Sequence, residues 1–217
     1  MRFPIFTSLV HILFPLRCKG CNTPGSALCS SCIARIPFAT DVPDKTYAVF
    51  DYGNPLVRNA IRELKYHRHS EAARALTEAA IPYLIEHMSD QLQSFATQRL
   101  VLIPIPAYKE RANTRGFNQS TLIASWLQTG LSDSHITLDL KKRSATPSQA
   151  KLNRKARLRN VVDTMVCTTT LDPKNIYVII DDVITTGATC AEARRALRAA
   201  GARTIYAIAL AHGYART

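Results

Sequence analysis

The sequence predicts an α/β fold in which a parallel sheet is flanked by helices. Ile176 to Ile180 is a short, unbroken run of β-branched and aromatic residues, the composition of a strand buried on both faces of a parallel sheet. Leu100 to Ile105 repeats that pattern, and the segments between such runs carry apolar residues at helical spacing. From Ile176 to Gly201 the chain reads as strand, loop and helix without slack, the unit from which such folds are assembled.

In that unit Asp181 and Asp182 are expected to end the strand. Thr185, Thr186, Gly187, Ala188 and Thr189 follow, offering hydroxyls, a glycine and backbone N–H groups at a helix start, which together cradle a phosphate. A helix is expected over Ala191 to Ala200, with Ala193, Ala196, Leu197 and Ala200 on its core face and Gly201 as its stop. Adjacent acids at the carboxyl end of a buried strand, just before a phosphate cradle, suit a sugar held between carboxylates with its phosphate over the helix. The segment resembles the phosphoribosyl pyrophosphate (PRPP) motif of type I phosphoribosyltransferases. That resemblance implies that Asp181 and Asp182 are catalytic, bonding the ribose 2- and 3-hydroxyls, and that Thr185 to Thr189 bind the 5-phosphate. Purine-salvage members carry an aspartate at the first loop position; Thr185 stands there in this chain, which disfavours a 6-oxopurine acceptor.

Length and composition bound the rest. A chain of 217 residues holds one α/β domain plus a small appendage, and 47% hydrophobic content supplies its core. The division expected is a small N-terminal segment over 1–42 and a phosphoribosyltransferase-like domain over 43–217. Lysine and arginine number 28 against 16 acids, and the net charge of +12 favours nucleic acid or phosphorylated ligands as partners. The apolar opening from Phe3 to Leu16 is interrupted by Pro4, Thr7, Ser8, His11 and Pro15 and is too short to span a bilayer. No transmembrane segment and a cytoplasmic location are expected.

Of six cysteines, Cys18, Cys21, Cys29 and Cys32 form a C-x2-C-x7-C-x2-C array with Gly20, Pro24 and Gly25 placed for tight knuckles. Two such pairs this close favour a tetrahedral, structural zinc over redox-active C-x-x-C pairs, which sit in βαβ contexts. Cys167 and Cys190 read as small apolar residues.

Pro37 and Pro43 frame a linker to a strand at Tyr47 to Tyr52. Asn54-Pro55 is an N-cap and first helical residue; Leu56, Val57, Ala60, Ile61 and Leu64 follow at helical spacing, and Lys65 and His67 lie near the helix end. A second helix is expected from about Glu71 to Met88, kinked at Pro82. After the Leu100 strand, Lys109 and Arg111 are candidate phosphate contacts, as is Arg115. Leu122, Ile123, Trp126 and Leu127 form the core face of a helix stopped at Gly130. Between Lys141 and Arg159 lie eight cations and no acids (Lys141, Lys142, Arg143, Lys151, Arg154, Lys155, Arg157 and Arg159), a pattern read as a mobile cationic loop. With Arg115, these are the candidate nucleic-acid contacts. Strands are expected at Val161 to Val166 and Thr204 to Leu210.

Leu-Phe-Pro-Leu-Arg-Cys-Lys-Gly-Cys, Leu64-Lys65-Tyr66, Arg115-Gly-Phe-Asn-Gln119, the series Arg143, Gln149, Arg157 and Asn160, and the PRPP motif together resemble the ComF family over nearly the whole chain. The resemblance implies a zinc-bearing N-terminal segment joined to a type I phosphoribosyltransferase-like domain, and a role in natural transformation, moving incoming single-stranded DNA into the cytoplasm. A related branch named for gluconate utilisation has the same layout. Three functions follow as expectations: a competence factor binding single-stranded DNA and PRPP or a nucleotide, alongside DNA-uptake or helicase machinery at the inner face of the membrane; an active phosphoribosyltransferase using magnesium-bound PRPP; or a PRPP-sensing regulator without turnover.

Overall fold

A computed structural model describes residues 16–66, 70–89, 98–107, 116–131, 134–143 and 164–213. In chain order its elements are α1 (Ser30–Ile33), β1 (Thr46–Asp51), α2 (Pro55–Tyr66), α3 (Glu71–His87), β2 (Leu100–Pro104), α4 (Gln119–Gln128), β3 (Ser134–Ile136), β4 (Leu140–Lys142), β5 (Met165–Cys167), β6 (Ile176–Ile184), α5 (Ala188–Ala199) and β7 (Thr204–His212). Five strands form an all-parallel sheet in the order β1-β7-β6-β2-β3, and β4 and β5 pair antiparallel as a separate ribbon.

The apolar run that begins β6 supplies both faces of the sheet. Ile176, Val178 and Ile180 point to a layer built with Val57, Ile61 and Leu64 of α2, Leu76 and Leu84 of α3, and Ile123 and Leu127 of α4. Tyr177 and Ile179 point the other way, against Ala193, Ala196 and Leu197 of α5 and Leu140 and Met165 of the ribbon. A strand covered on both sides has no polar face, which is why its sequence does not alternate.

Caps set the helix starts. The Leu56 N–H donates to Asn54 Oδ1 at 2.9 Å, the Ala73 N–H to Ser70 Oγ at 3.3 Å, and the Ser120 N–H to Asn118 Oδ1 at 3.2 Å. α5 begins at Ala188, earlier than the expected Ala191, because Gly187 at φ +74° already serves as its N-cap. Trp126, expected in the core, is half-buried and packs against the core from its edge.

The cysteine-bearing segment shares the main core. Cys18, Ala27, Leu28, Cys32 and Ile36 are buried in the same layer as α2 and α3, and Lys19 forms an ion pair with Glu63 of α2. The expected linker also has a structural task. Phe38 bridges Phe50 antiparallel, the Ala39 N–H donates to Val49 O at 3.0 Å and the Asp51 N–H to Pro37 O at 3.0 Å, so the linker covers the open edge of β1.

Two expectations are corrected. Asp181 and Asp182 do not end their strand: β6 continues to Ile184 because β7 keeps pairing with it, through Asp181 opposite Ala209, Val183 opposite Ala211 and Ile184 opposite His212. Lys141 and Lys142 lie in a strand rather than a loop, because Lys141 and Lys142 pair with Val166 and Met165. The strand expected at Val161 to Val166 appears as Met165–Cys167, with 161–163 outside the described residues.

Candidate functional site

The acidic pair sits where the two halves of the sheet diverge. From β2 the chain passes through α4 to β3 on one side, and from β6 through α5 to β7 on the other, so β2 and β6 are neighbours whose connections leave in opposite directions. Open α/β sheets bind their ligands at such a switch point, beyond the carboxyl ends of the strands. The β2 ladder stops at Pro104 opposite Ile180, with a last bond from the Ile105 N–H to Ile180 O at 2.9 Å. Asp181 and Asp182 follow at once, beyond the end of the β2 ladder.

Side chains from both sides converge there. Ser120, in the first turn of α4, donates from Oγ to Asp181 Oδ1 at 3.4 Å, and Asn118 tethers that turn by donating from Nδ2 to Ile105 O at 2.8 Å. Asp181 Oδ1 also accepts the Asp182 N–H at 2.9 Å, and Asp182 Oδ1 accepts the Val183 N–H at 2.8 Å. Lys65, in the last turn of α2, brings Nζ to 3.6 Å from Asp182 Oδ2. Burial, and then the neighbouring Asp182 carboxylate, push Asp181 up to about 8. The dyad therefore sets a carboxyl with raised affinity for its proton beside a second acid within reach of a lysine.

The loop after β6 lies against the same end of the sheet. The Gly213 N–H donates to Ile184 O at 2.9 Å, and a Cβ on Gly213 would come within 3.2 Å of Tyr52 and 3.4 Å of Thr185. Thr185 and Thr186 are exposed, and the Ala188 N–H donates to Thr186 Oγ1 at 3.4 Å. Gly187 makes no side-chain cap, so α5 presents its first N–H groups without a carboxylate upon them. Cys190, one turn in, is buried and pushed up to about 12, first by that burial and then by Asp181. It is an inert wall, in line with its reading as a small apolar residue.

The four N-terminal cysteines form a second centre. Their sulfur atoms all lie within 4.8 Å of one another. The Cys29 and Gly20 N–H groups donate to Cys18 Sγ at 3.3 and 3.4 Å, the turn geometry that Gly20 and Gly25 permit. The first of these bonds leads in drawing Cys18 down to about 6, hydrogen bonding to Thr23 lowers Cys21, and burial followed by the adjoining sulfurs pushes Cys32 up to about 12. Backbone donors favour thiolate at one ligand while crowding opposes it at another, a conflict that a thiophilic cation resolves. The cluster could hold a metal such as zinc and is consistent with a zinc knuckle.

DNA utilization protein YhgH of Salmonella typhimurium is 31% identical over 193 residues, covering 87% of this chain and 80% of the relative. The chain belongs to the ComF family. Competence protein ComFC of Bacillus subtilis is 28% identical over 187 residues, 83% of this chain and 70% of the relative. Competence protein F of Haemophilus influenzae is 31% identical over 112 residues, 51% of this chain and 49% of the relative. No family model matches the chain.

For a ComF protein the remaining question is where its cations stand. Lys109, Arg111, Arg115, Lys151, Arg154, Lys155, Arg157 and Arg159 lie outside the described residues. Lys141, Lys142 and Arg143 are described: the first two lie on β4, and the Arg143 N–H donates to Thr164 O at 2.8 Å where the ribbon closes. That ribbon is fastened to α5. Glu192 of α5, 4% exposed, accepts the Met165 N–H at 2.9 Å, Arg195 donates to Met165 O at 2.9 Å, and the two side chains pair at 2.8 Å. Glu192, Arg195, Ser120 and Lys65 were not singled out as site residues from sequence. Lys65 and Ser120 adjoin or lie within quoted family motifs, but only the three-dimensional structure brings them to the dyad. Among the described residues no helix is long and apolar enough to cross a membrane.

Proposed function

We propose that this protein is a ComF-type competence factor, required for natural transformation, that handles incoming single-stranded DNA on the cytoplasmic side and carries a PRPP-type site at the Asp181–Asp182 dyad. The observation that carries the ligand site is the convergence at one switch point of two carboxylates and the α4 N-terminus, with the threonine-glycine loop following on the same strand. Relatives named for competence and for DNA utilisation support the DNA role. In this reading Asp181 and Asp182 bond the ribose hydroxyls, and Thr185, Thr186, Gly187, Ala188 and Thr189 take the 5-phosphate. Lys141, Lys142 and Arg143, with Arg115, Lys151, Arg154, Lys155, Arg157 and Arg159, track the DNA phosphates. Cys18, Cys21, Cys29 and Cys32 hold a structural zinc that fixes the N-terminal segment.

A second reading, an active phosphoribosyltransferase, draws support from the same dyad. An acceptor nucleophile would bond C1 as the C1–O bond to pyrophosphate breaks; the positive charge that builds on the ribose is stabilised by a nearby carboxylate while Lys109, Arg111 or Arg143 meets the leaving group. Magnesium bound with PRPP would neutralise the pyrophosphate.

The deciding experiment deletes the gene and complements with wild type or Asp181→Asn/Asp182→Asn, measuring transformation frequency and arrival of labelled DNA in the cytoplasm. Rescue by wild type alone is expected. Equal rescue by the double variant removes the ribose site from the mechanism.

A further inference from the structure

Residues 1–15 lie outside the described structure, and their composition calls for an apolar partner. Ile5, Phe6, Leu9, Val10, Ile12, Leu13 and Phe14 are large and apolar, and Arg2 is the only lysine, arginine or acid among the fifteen. Set at about 100° per residue, Thr7, Ser8 and His11 fall together on one side and Phe6, Leu9, Val10 and Leu13 centre the other. Pro4 suits the first turn of such a helix and Pro15 its end.

An apolar groove lies close to where this segment joins the fold. It opens between the end of α1, the linker and α3, has a volume of about 290 Å³, and is lined by Ile33, Ile36, Phe38, Phe50, Tyr83 and Glu86 among others. Phe38 is 57% exposed although it stacks on Tyr83 at 4.8 Å, and Tyr83 stacks in turn on His87 at 3.8 Å. The groove falls below the range of about 300–1,000 Å³ usual for small-molecule sites and lacks the convergent polar groups that would orient one. Among the described residues no lysine or arginine lines it, so a nucleic-acid phosphate would find no cation there. A few large apolar side chains fit it instead.

The path from the segment to the groove is short. Leu16, 40% exposed, is tied into the knuckle by the Gly25 N–H, which donates to its carbonyl at 2.8 Å. Two residues on, the Cys18 sulfur lies within 4.8 Å of that of Cys32, and Cys32 adjoins Ile33 of the groove wall. Two links of chain and two cysteine side chains therefore place the groove within about 20 Å of Leu16. Fifteen residues span roughly 22 Å as a helix and about 50 Å extended, enough to reach it. The charges match as well, since Glu86 is the charged residue in the lining and Arg2 the cation of the segment.

We propose that residues 1–15 dock in this groove of their own chain as an amphipathic helix, setting side chains from Phe6, Leu9, Val10 and Leu13 against Phe38 and Tyr83 and bringing Arg2 to Glu86. The segment then clamps the cysteine knuckle to α3 and covers the exposed aromatic wall.

Zinc-loaded full chain with photoreactive benzoylphenylalanine in place of Phe6 tests the docking directly. Cross-links within one chain, to peptides containing Phe38 or residues 79–86, are expected. In the otherwise unmodified chain, chymotrypsin cleavage after Phe6 tracks the undocked fraction. Ala79→Trp fills the groove from an exposed position on α3. It should speed that cleavage about tenfold or more, the effect of withdrawing one large side chain from its pocket. Glu86→Arg should speed it about two- to fivefold, and adding Arg2→Glu should restore protection. A cross-link between two chains would overturn the proposal in favour of a second copy. No cross-link, together with cosedimentation on phosphatidylglycerol vesicles, would overturn it in favour of a membrane surface. Cross-links to other regions, or cleavage indifferent to Ala79→Trp and Glu86→Arg alike, would overturn it outright.

Discussion

Replacing Asp181 with Asn separates the charge of the dyad from its shape, and its effect on stability should depend on pH with a definite sign. In the unfolded chain this carboxyl titrates near its ordinary value of 3.8; in the fold, burial and Asp182 push it up to about 8. Between those values the native state holds a proton that the unfolded state has released. Stability contributed by the protonated carboxyl is thus complete below about pH 4 and is lost progressively until about pH 8. One proton of difference gives a slope of at most about 1.4 kcal/mol per pH unit. From pH 5 to 7, allowing for the solvent that reaches this half-buried pair, wild type should lose about 2 kcal/mol that Asp181→Asn keeps. In a chain of this size that corresponds to roughly 4–8 °C in melting temperature. Thermal unfolding of both proteins at pH 5, 6 and 7 measures the effect, and the difference between them cancels the other titrating groups. The advantage of the Asn variant should widen with pH. A constant gap would refute the raised affinity of Asp181 for its proton, and a narrowing gap would reverse its sign.

Other expectations concern the surrounding structure. Purified protein should carry about one zinc per chain, and Cys29→Ser should lose it, since a closed tetrahedral site needs all four thiolates; full occupancy in that variant would refute the ligand set. Glu192→Ala strands the buried Met165 N–H and should cost about 1–3 kcal/mol, with hydrogen exchange at Met165 accelerating relative to the β6 core; unchanged protection would mean that the ribbon does not depend on α5. Single-stranded DNA should bind with little sequence preference, its affinity falling by about 0.7 log units per log unit of salt for each phosphate contact. Neutralising Arg154, Lys155 and Arg157 together should flatten that slope by about two units, whereas an unchanged slope would assign those cations to the pyrophosphate side of the site.

How much of this was legible in the chain depends on the range of the interactions involved. Local chemistry determined the strand–loop–helix unit around Gly187, the Asn54-Pro55 helix start and the clustering of Cys18, Cys21, Cys29 and Cys32, because each arises between residues close together along the chain. A buried run such as Ile176 to Ile180 likewise announces that both faces are covered. What it cannot announce is where each ladder stops. β6 ends at Ile180 on the β2 side and at Ile184 on the β7 side, and that unequal pairing, not the strand end expected from the acids, opens the dyad. The partners of the dyad were equally hidden. Lys65 and Asp182 are separated by most of the fold in sequence and meet only because the apolar underside of α2 seats it across the sheet. Glu192 reads as an ordinary helix former until β5 is laid beside it and its carboxylate becomes the acceptor for Met165. Sequence alone placed the acids, the threonine-glycine loop and the cysteines in order along the chain; tertiary packing decided which groups face one another, because hydrogen bonds and ion pairs across elements depend on crossing angle and register, which local preferences do not encode.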